Sequence, residues 1–219
     1  MQLTKIKSRV LAEYKDSTFD VRKVLHPREN SNYSENKAVD MYKIKAAISR
    51  ILEPKKIFEI GIRYGYSAAA LLWCNSEASY TGLDWFQRGN NFSLTSTEQY
   101  QLLSLMLKSW YPQAEISVNM GDSFVESVQN NWCERLGDQI DLVNVDGDHS
   151  FDGCLNDLLF AGKLVKDGGY LLVDDYTNPK YSDDIKKAIS EFSNKYDTEL
   201  VVFPSWRGDA LIQVFKESS

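Results

Sequence analysis

Apolar side chains recur at helical intervals in two stretches near the start of the chain, Thr4–Tyr14 and Asn36–Leu52, the second through Val39, Tyr42, Ile44, Ala47, Ile48 and Ile51. Pro54 lies just beyond and ends that helix. The pattern then changes to short β-rich runs at Lys56–Ile60, Ser79–Leu83, Glu115–Asn119, Ile140–Val145, Gly169–Val173, Thr198–Phe203 and Ala210–Phe215. Helical stretches follow the first five of them: Tyr66–Asn75, Ser96–Trp110, Ser123–Asn130, Phe151–Val165 and Tyr181–Lys195. Strands separated by helices need right-handed crossovers, which build a mostly parallel sheet. Only Pro204–Asp209 separates the last two runs, too few residues for a crossover helix, so these should form an antiparallel hairpin. The expected fold is α/β: a doubly wound, seven-stranded, mostly parallel sheet with a C-terminal antiparallel hairpin and helices on both faces. Residues 1–53 should form an N-terminal helical cap on a domain spanning 54–219, the two making one compact unit.

Composition narrows the partners. The 219 residues are 43% hydrophobic and 26% charged, the balance of a soluble globular chain. A net charge of −6 argues against binding a phosphate backbone and for small-molecule partners; Lys5, Lys7 and Arg9 read as a solvated helix face. No apolar stretch follows that basic start, and Ala68–Cys74 is too short to span a bilayer, so neither a signal peptide nor a membrane segment is expected. Cys74, Cys133 and Cys154 show no paired spacing, which fits a reducing cytoplasm and offers no zinc knuckle. His26, beside Pro27, reads as structural.

An open α/β sheet binds ligands at the carboxyl ends of its strands. After the first run comes Glu59-Ile60-Gly61-Ile62-Arg63-Tyr64-Gly65-Tyr66-Ser67, whose glycines allow a sharp turn and close approach to a ligand. Their GxxxG spacing is not the dinucleotide fingerprint. Asp84 ends the second run 23 residues past Gly61, where a carboxylate can accept from ribose hydroxyls, and Trp85 and Phe86 could pack on a purine or in the core. Gly121-Asp122-Ser123 offers an acceptor for an exocyclic amine, or a helix cap. The fourth run ends in Asp146-Gly147-Asp148-His149 and the fifth in Asp174-Asp175. Crowded carboxylates must take up protons, a cation or a cationic ligand. Magnesium, which prefers oxygen, suits Asp146, Asp174 and Asp175 better than zinc does. His149, three residues after Asp146, is placed to act as a general base.

Together these segments resemble the class I S-adenosylmethionine (SAM)-dependent methyltransferases over about Leu52–Phe215. VDGDHSFDGCLNDL followed by LVKDGGYLLVDDY is most similar to the cation-dependent O-methyltransferases of the small-molecule, macrocin-type branch. The resemblance implies that Glu59, Gly61 and Gly65 form the cofactor turn, ending at Ser67. It also implies that Asp84 holds the ribose, that Asp122, next to Ser123, faces adenine, and that Asp146, Asp174 and Asp175 bind Mg2+ beside His149. Trp85 could stack on adenine, or the segment Trp85–Thr95 could instead form a substrate lid. The acceptor would be a hydroxyl of a sugar or natural product. A nicotinamide-dependent oxidoreductase or epimerase, a non-catalytic SAM-binding protein and a metal-independent methyltransferase stand as alternatives, and the N-terminal helices could cover the cofactor, select the acceptor or join subunits into a homo-oligomer.

Overall fold

A computed structural model describes residues 2–24, 36–86 and 95–216; His26 and residues 87–94, most of the expected lid, lie outside this range. The chain runs α1 (Leu3–Asp16), a 3-10 turn (Val21–Lys23), α2 (Asn36–Leu52), β1 (Lys56–Ile60), α3 (Tyr66–Leu72), β2 (Ser79–Asp84), α4 (Ser96–Trp110) and β3 (Glu115–Met120). It continues through α5 (Glu126–Leu136), β4 (Ile140–Val145), α6 (Phe151–Leu164), β5 (Val165–Val173), α7 (Ser182–Ser193), β6 (Asp197–Phe203) and β7 (Asp209–Phe215). The strands lie in one sheet of order β3-β2-β1-β4-β5-β7-β6, parallel except for β7, which runs antiparallel to both β5 and β6. Seven strands, the crossovers and the closing hairpin are as the sequence pattern predicts.

Strand pleating assigns alternate residues to opposite faces. Ile57, Leu142, Leu172 and Leu211 turn to one side, where they pack with Leu3, Ile6 and Val10 of α1, Met41, Ile44 and Ile48 of α2, and residues of α3 and α4. Phe58, Val143, Leu171 and Ile212 turn to the other side, against α5, α6 and α7. There Phe58 meets Trp132 and Phe160 edge to face, with centroids 5.7 and 5.9 Å apart. The N-terminal helices therefore share one apolar cluster with the sheet.

Local chemistry explains the boundaries. Thr95 and Glu98 form a capping box at the start of α4, and the Ser150 side chain accepts from Gly153 N at the start of α6. The largest differences in extent are two, while α3 ends at Leu72 rather than Asn75 and α5 starts at Glu126 rather than Ser123. Helix α5 runs to Leu136 rather than Asn130, because Trp132 is buried and only Gly137, with φ +58°, stops the helix. Strand β5 begins at Val165, which pairs with Ile140 before a register shift restores pairing from Leu142 onward. No helix among the described residues is long and apolar enough to cross a membrane.

Candidate active site

A cavity of about 770 Å³ opens at the carboxyl ends of β1, β2, β4 and β5 and takes in the β1–α3 turn, Asp84, Asp122 and the acids after β4 and β5. This is the crevice beside the switch point, where β1 and β4 lead away in opposite directions. Its floor at the turn depends on Gly61. With φ +84°, a side chain there would place Cβ 2.1 Å from the carbonyl oxygen of Asp146, so only glycine lets β1 and β4 close on one another. Gly61→Ala should destabilise the fold by about 3 kcal/mol or more, read as a lowered midpoint in urea unfolding. A midpoint equal to wild type would show that the two loops do not touch.

Asp84 braces this turn. Its Oδ2 accepts from the backbone N–H groups of Ile62 and Arg63 at 2.8 and 2.7 Å, and Oδ1 accepts from Phe86 at 2.6 Å. Arg63 and Phe86 both take positive φ, a strained backbone that this carboxylate helps hold. Oδ1 retains capacity for a further donor, and Asp84 lines the cavity. Asp122 forms a tight turn through Phe124 N at 2.9 Å; it does not cap α5, which starts beyond Val125. Ser67, Ser123 and Trp85 also line the cavity, with Trp85 and Phe124 exposed at its rim.

Glu59 and Gly65 are not on the wall. Glu59 is fully buried behind it, where Oε1 accepts from Ser67 and from Asn144 at 2.8 Å and Oε2 accepts from Tyr80. Burial pushes its carboxyl up to about 7 against the pull of those three donors. Gly65 is the left-handed residue before α3 and fits against Leu103. Both shape the turn rather than face a ligand.

The acidic centre lies next to this turn. One ligand atom each from Asp146, His149 and Asp174 falls within 4.8 Å of the others. Asp175, expected as the third cation ligand, is not in that set: with φ +59° it sends Oδ2 to 3.4 Å from His149 Nε2 and Oδ1 to 3.6 Å from Arg207 Nε. His149 lies beside the two aspartates, with Nε2 also 3.5 Å from Asp146 Oδ1 and its ring stacked on Tyr181 at 5.0 Å. Unanticipated is a fully buried Lys45, whose Nζ donates to Asp209 Oδ1 at 2.6 Å and stands 3.1 Å from Asp174 Oδ1.

The electrostatics favour one more cation. Asp146, Asp174, Asp175 and Asp209 face two permanent cations, Lys45 and Arg207. With all four acids ionised and His149 neutral these groups would carry two negative charges in excess, which one divalent ion or added protons can offset; burial pushes Asp209, like Asp146, up to about 7. Without an ion, protons do the work. Burial and the charge of Asp174 push Asp146 up to about 7. Burial would lower His149, but Asp146, Asp175 and Asp174 bring it to about 9. Burial would raise Asp174, but Lys45 and His149 draw it down to about 2. His149 Nε2, Asp174 Oδ1 and Asp175 Oδ1 are buried with ion-pair contacts of 3.1–3.6 Å but no well-aligned hydrogen bond. The carboxylates of Asp146 and Asp174 fit an oxygen-preferring divalent cation such as Mg2+ or Mn2+.

Comparison with known proteins identifies the domain. The profile of a family described as a methyltransferase domain matches residues 58–176. The chain belongs to this family. The methyltransferase-domain match thus runs from β1 through the acids after β5 and includes the turn, Asp84, Asp146, His149, Asp174 and Asp175. A curated relative, uncharacterized protein R132 of Acanthamoeba polyphaga mimivirus, is 33% identical over 58 residues, 26% of each chain, so the match spans about a quarter of that protein's length. Among solved structures, the O-methyltransferase TomG of Streptomyces achromogenes, in complex with SAM, is 16% identical with TM-score 0.58 over 99% of this chain and 100% of its own. CalS11, a TDP-rhamnose 3′-O-methyltransferase of calicheamicin biosynthesis, is 16% identical with TM-score 0.60 over 96% and 93%. At these identities the likeness is one of fold.

Residues that the sequence reading did not single out now join the methyltransferase domain's cavity: Tyr42 from α2, Asn178 and Lys180 before α7, and Arg207 from the hairpin. A signal for Lys45 existed. It falls one helical turn from Met41 and Ile48, on the apolar stripe of α2, where a charged residue demands a buried partner.

Proposed function

We propose that this methyltransferase domain transfers the methyl group of SAM to a hydroxyl of a small molecule, with His149 as general base and a divalent cation held by Asp146 and Asp174. The observation that carries the reading is the convergence of Asp146, His149 and Asp174 in the same cavity as the Gly61–Asp84 turn. In this reading the turn and Asp84 receive the adenosyl part of the donor, Asp122, Ser123, Trp85 and Phe124 flank its base, and the acids border the methyl group. The cavity has the size of a small-molecule site and room for donor and acceptor together. A hydroxylated sugar or natural product is the acceptor class, supported by the activities named for TomG and CalS11. The many carboxylates disfavour a hydride-transfer site.

The chemistry follows from the groups present. When bound, a divalent cation supplies Lewis acidity that lowers the pKa of an acceptor hydroxyl and fixes its approach. His149, its ring stacked on Tyr181, accepts the hydroxyl proton, and the Asp146 and Asp175 carboxylates beside Nε2 stabilise the imidazolium that forms. The acceptor oxygen then attacks the methyl carbon as the carbon–sulfur bond breaks, its electron pair staying on sulfur, so the sulfonium becomes a neutral thioether.

Thermal unfolding with ligands tests the proposal. S-adenosylhomocysteine (SAH), the demethylated product, should raise the midpoint in proportion to the logarithm of its concentration over Kd, NAD should not, and Mg2+ or Mn2+ should add a further rise. Stabilisation by NAD instead of SAH would transfer the site to a nicotinamide enzyme.

A further inference from the structure

Lys45 reaches the acidic centre from α2, and its partner Asp209 opens β7; both lie outside the segment matched by the methyltransferase family. Both side chains are fully buried. Burial alone would depress the lysine pKa, but Asp174, Asp209 and Asp146 together outweigh it and keep the ammonium protonated. Packing alone does not ask for such a group. Met41, Ile44 and Ile48 fill the same side of α2, and apolar replacements of buried ion pairs are often neutral or stabilising.

The arrangement is directional. The ammonium donates to Asp209 Oδ1 at 2.6 Å, which fixes its position, and from there it stands 3.1 Å from Asp174 Oδ1. Turning Asp174 away from Asp146 and His149 would break that ion pair. One turn earlier on the same helix, Tyr42 lines the cavity, so α2 contributes both a wall and an anchor to the centre. We infer that Lys45, held by Asp209, is a positioning residue that keeps the Asp174 carboxylate facing Asp146 and His149 across the cation position. The inference rests on the cation reading above.

Two effects of removing the ammonium oppose each other, which makes the test decisive. Lost charge would tighten the hold on a divalent ion, whereas lost orientation would weaken it, by about 10–100-fold for partners that orient a metal ligand. The experiment is Mn2+ titration of the full chain, with free Mn2+ read by electron paramagnetic resonance and SAH binding as the folding control. Lys45→Met should bind Mn2+ about 10–100-fold more weakly than wild type, and Lys45→Arg should recover part of the loss. Should Lys45→Met fail to fold, Lys45→Gln carries the test: it keeps a hydrogen-bonding side chain of similar reach but removes the ammonium, and Mn2+ binding should again weaken. Equal or tighter Mn2+ binding in a folded Lys45→Met, or in Lys45→Gln if that is the variant that folds, would overturn the inference while leaving the cation reading intact. A wild-type chain that binds SAH but no Mn2+ would overturn the cation reading and this inference with it.

Discussion

Asp146→Ala should lower kcat/KM at least about 100-fold and abolish any response of the rate to Mg2+ or Mn2+, while SAH still binds within a few-fold of wild type. Asp146 belongs to the converging set through its side chain, whereas its contact with the donor turn is made by its backbone. Alanine therefore removes a ligand for the cation and leaves the close approach of β1 and β4 in place. A hundredfold loss corresponds to about 2.7 kcal/mol of transition-state stabilisation, within what a bound cation supplies as a Lewis acid. The measurement is steady-state turnover with a chelator and with added cation, paired with SAH titration. If the variant turns over at the wild-type rate, no cation held by Asp146 takes part in methyl transfer, and the acids serve some other purpose. If SAH binding collapses as well, Asp146 shapes the donor pocket and the division between the two halves of the cavity is wrong.

The parts of this molecule legible in its sequence are those set by local rules. Strand periodicity, crossover helices and the short link between Phe203 and Asp209 specify a mostly parallel, seven-stranded sheet and its antiparallel end, though not the insertion of β7 between β5 and β6. The strand-end positions of Asp84, Asp146 and Asp174 follow from the fold, because a parallel sheet delivers every such residue to one edge. What stayed hidden depends on contacts distant in sequence. Lys45 and Asp209 are 164 residues apart and meet only in the folded chain, on the side of the sheet where α2 shares an apolar cluster with Leu172 and Leu211. Glu59 reads as a cofactor residue from its place in the motif, yet Ser67, Tyr80 and Asn144 hold it behind the wall. Asp175 and Asp174 are neighbours in an acidic pair, but the positive φ of Asp175 turns the second carboxylate toward Arg207 and His149. A run of acids thus reveals that charge must be compensated; only the tertiary structure shows that a lysine, an arginine and a histidine share the task.

His149→Ala should reduce kcat by about 100- to 10,000-fold with little change in KM for SAM, and it should remove the pH dependence assigned to the base. Only a neutral imidazole can accept a proton, so the wild-type rate should rise with pH through the pKa of His149. That pKa is brought to about 9 by the bare carboxylates of Asp146, Asp175 and Asp174. A cation on Asp146 and Asp174 withdraws part of that negative field, so raising the cation concentration should move the rising limb of kcat to lower pH. The sign separates two roles for the same residue. If His149 served only as a cationic counterweight to the acids, activity would fall as pH rose through its pKa, and alanine would leave a falling limb or none. His149→Gln sharpens the distinction, since it keeps a hydrogen-bonding side chain of similar reach but cannot take up a proton. A glutamine variant that retains the wild-type rate and the rising limb would assign proton removal to another group, with Asp175, 3.4 Å from the imidazole, the first to examine.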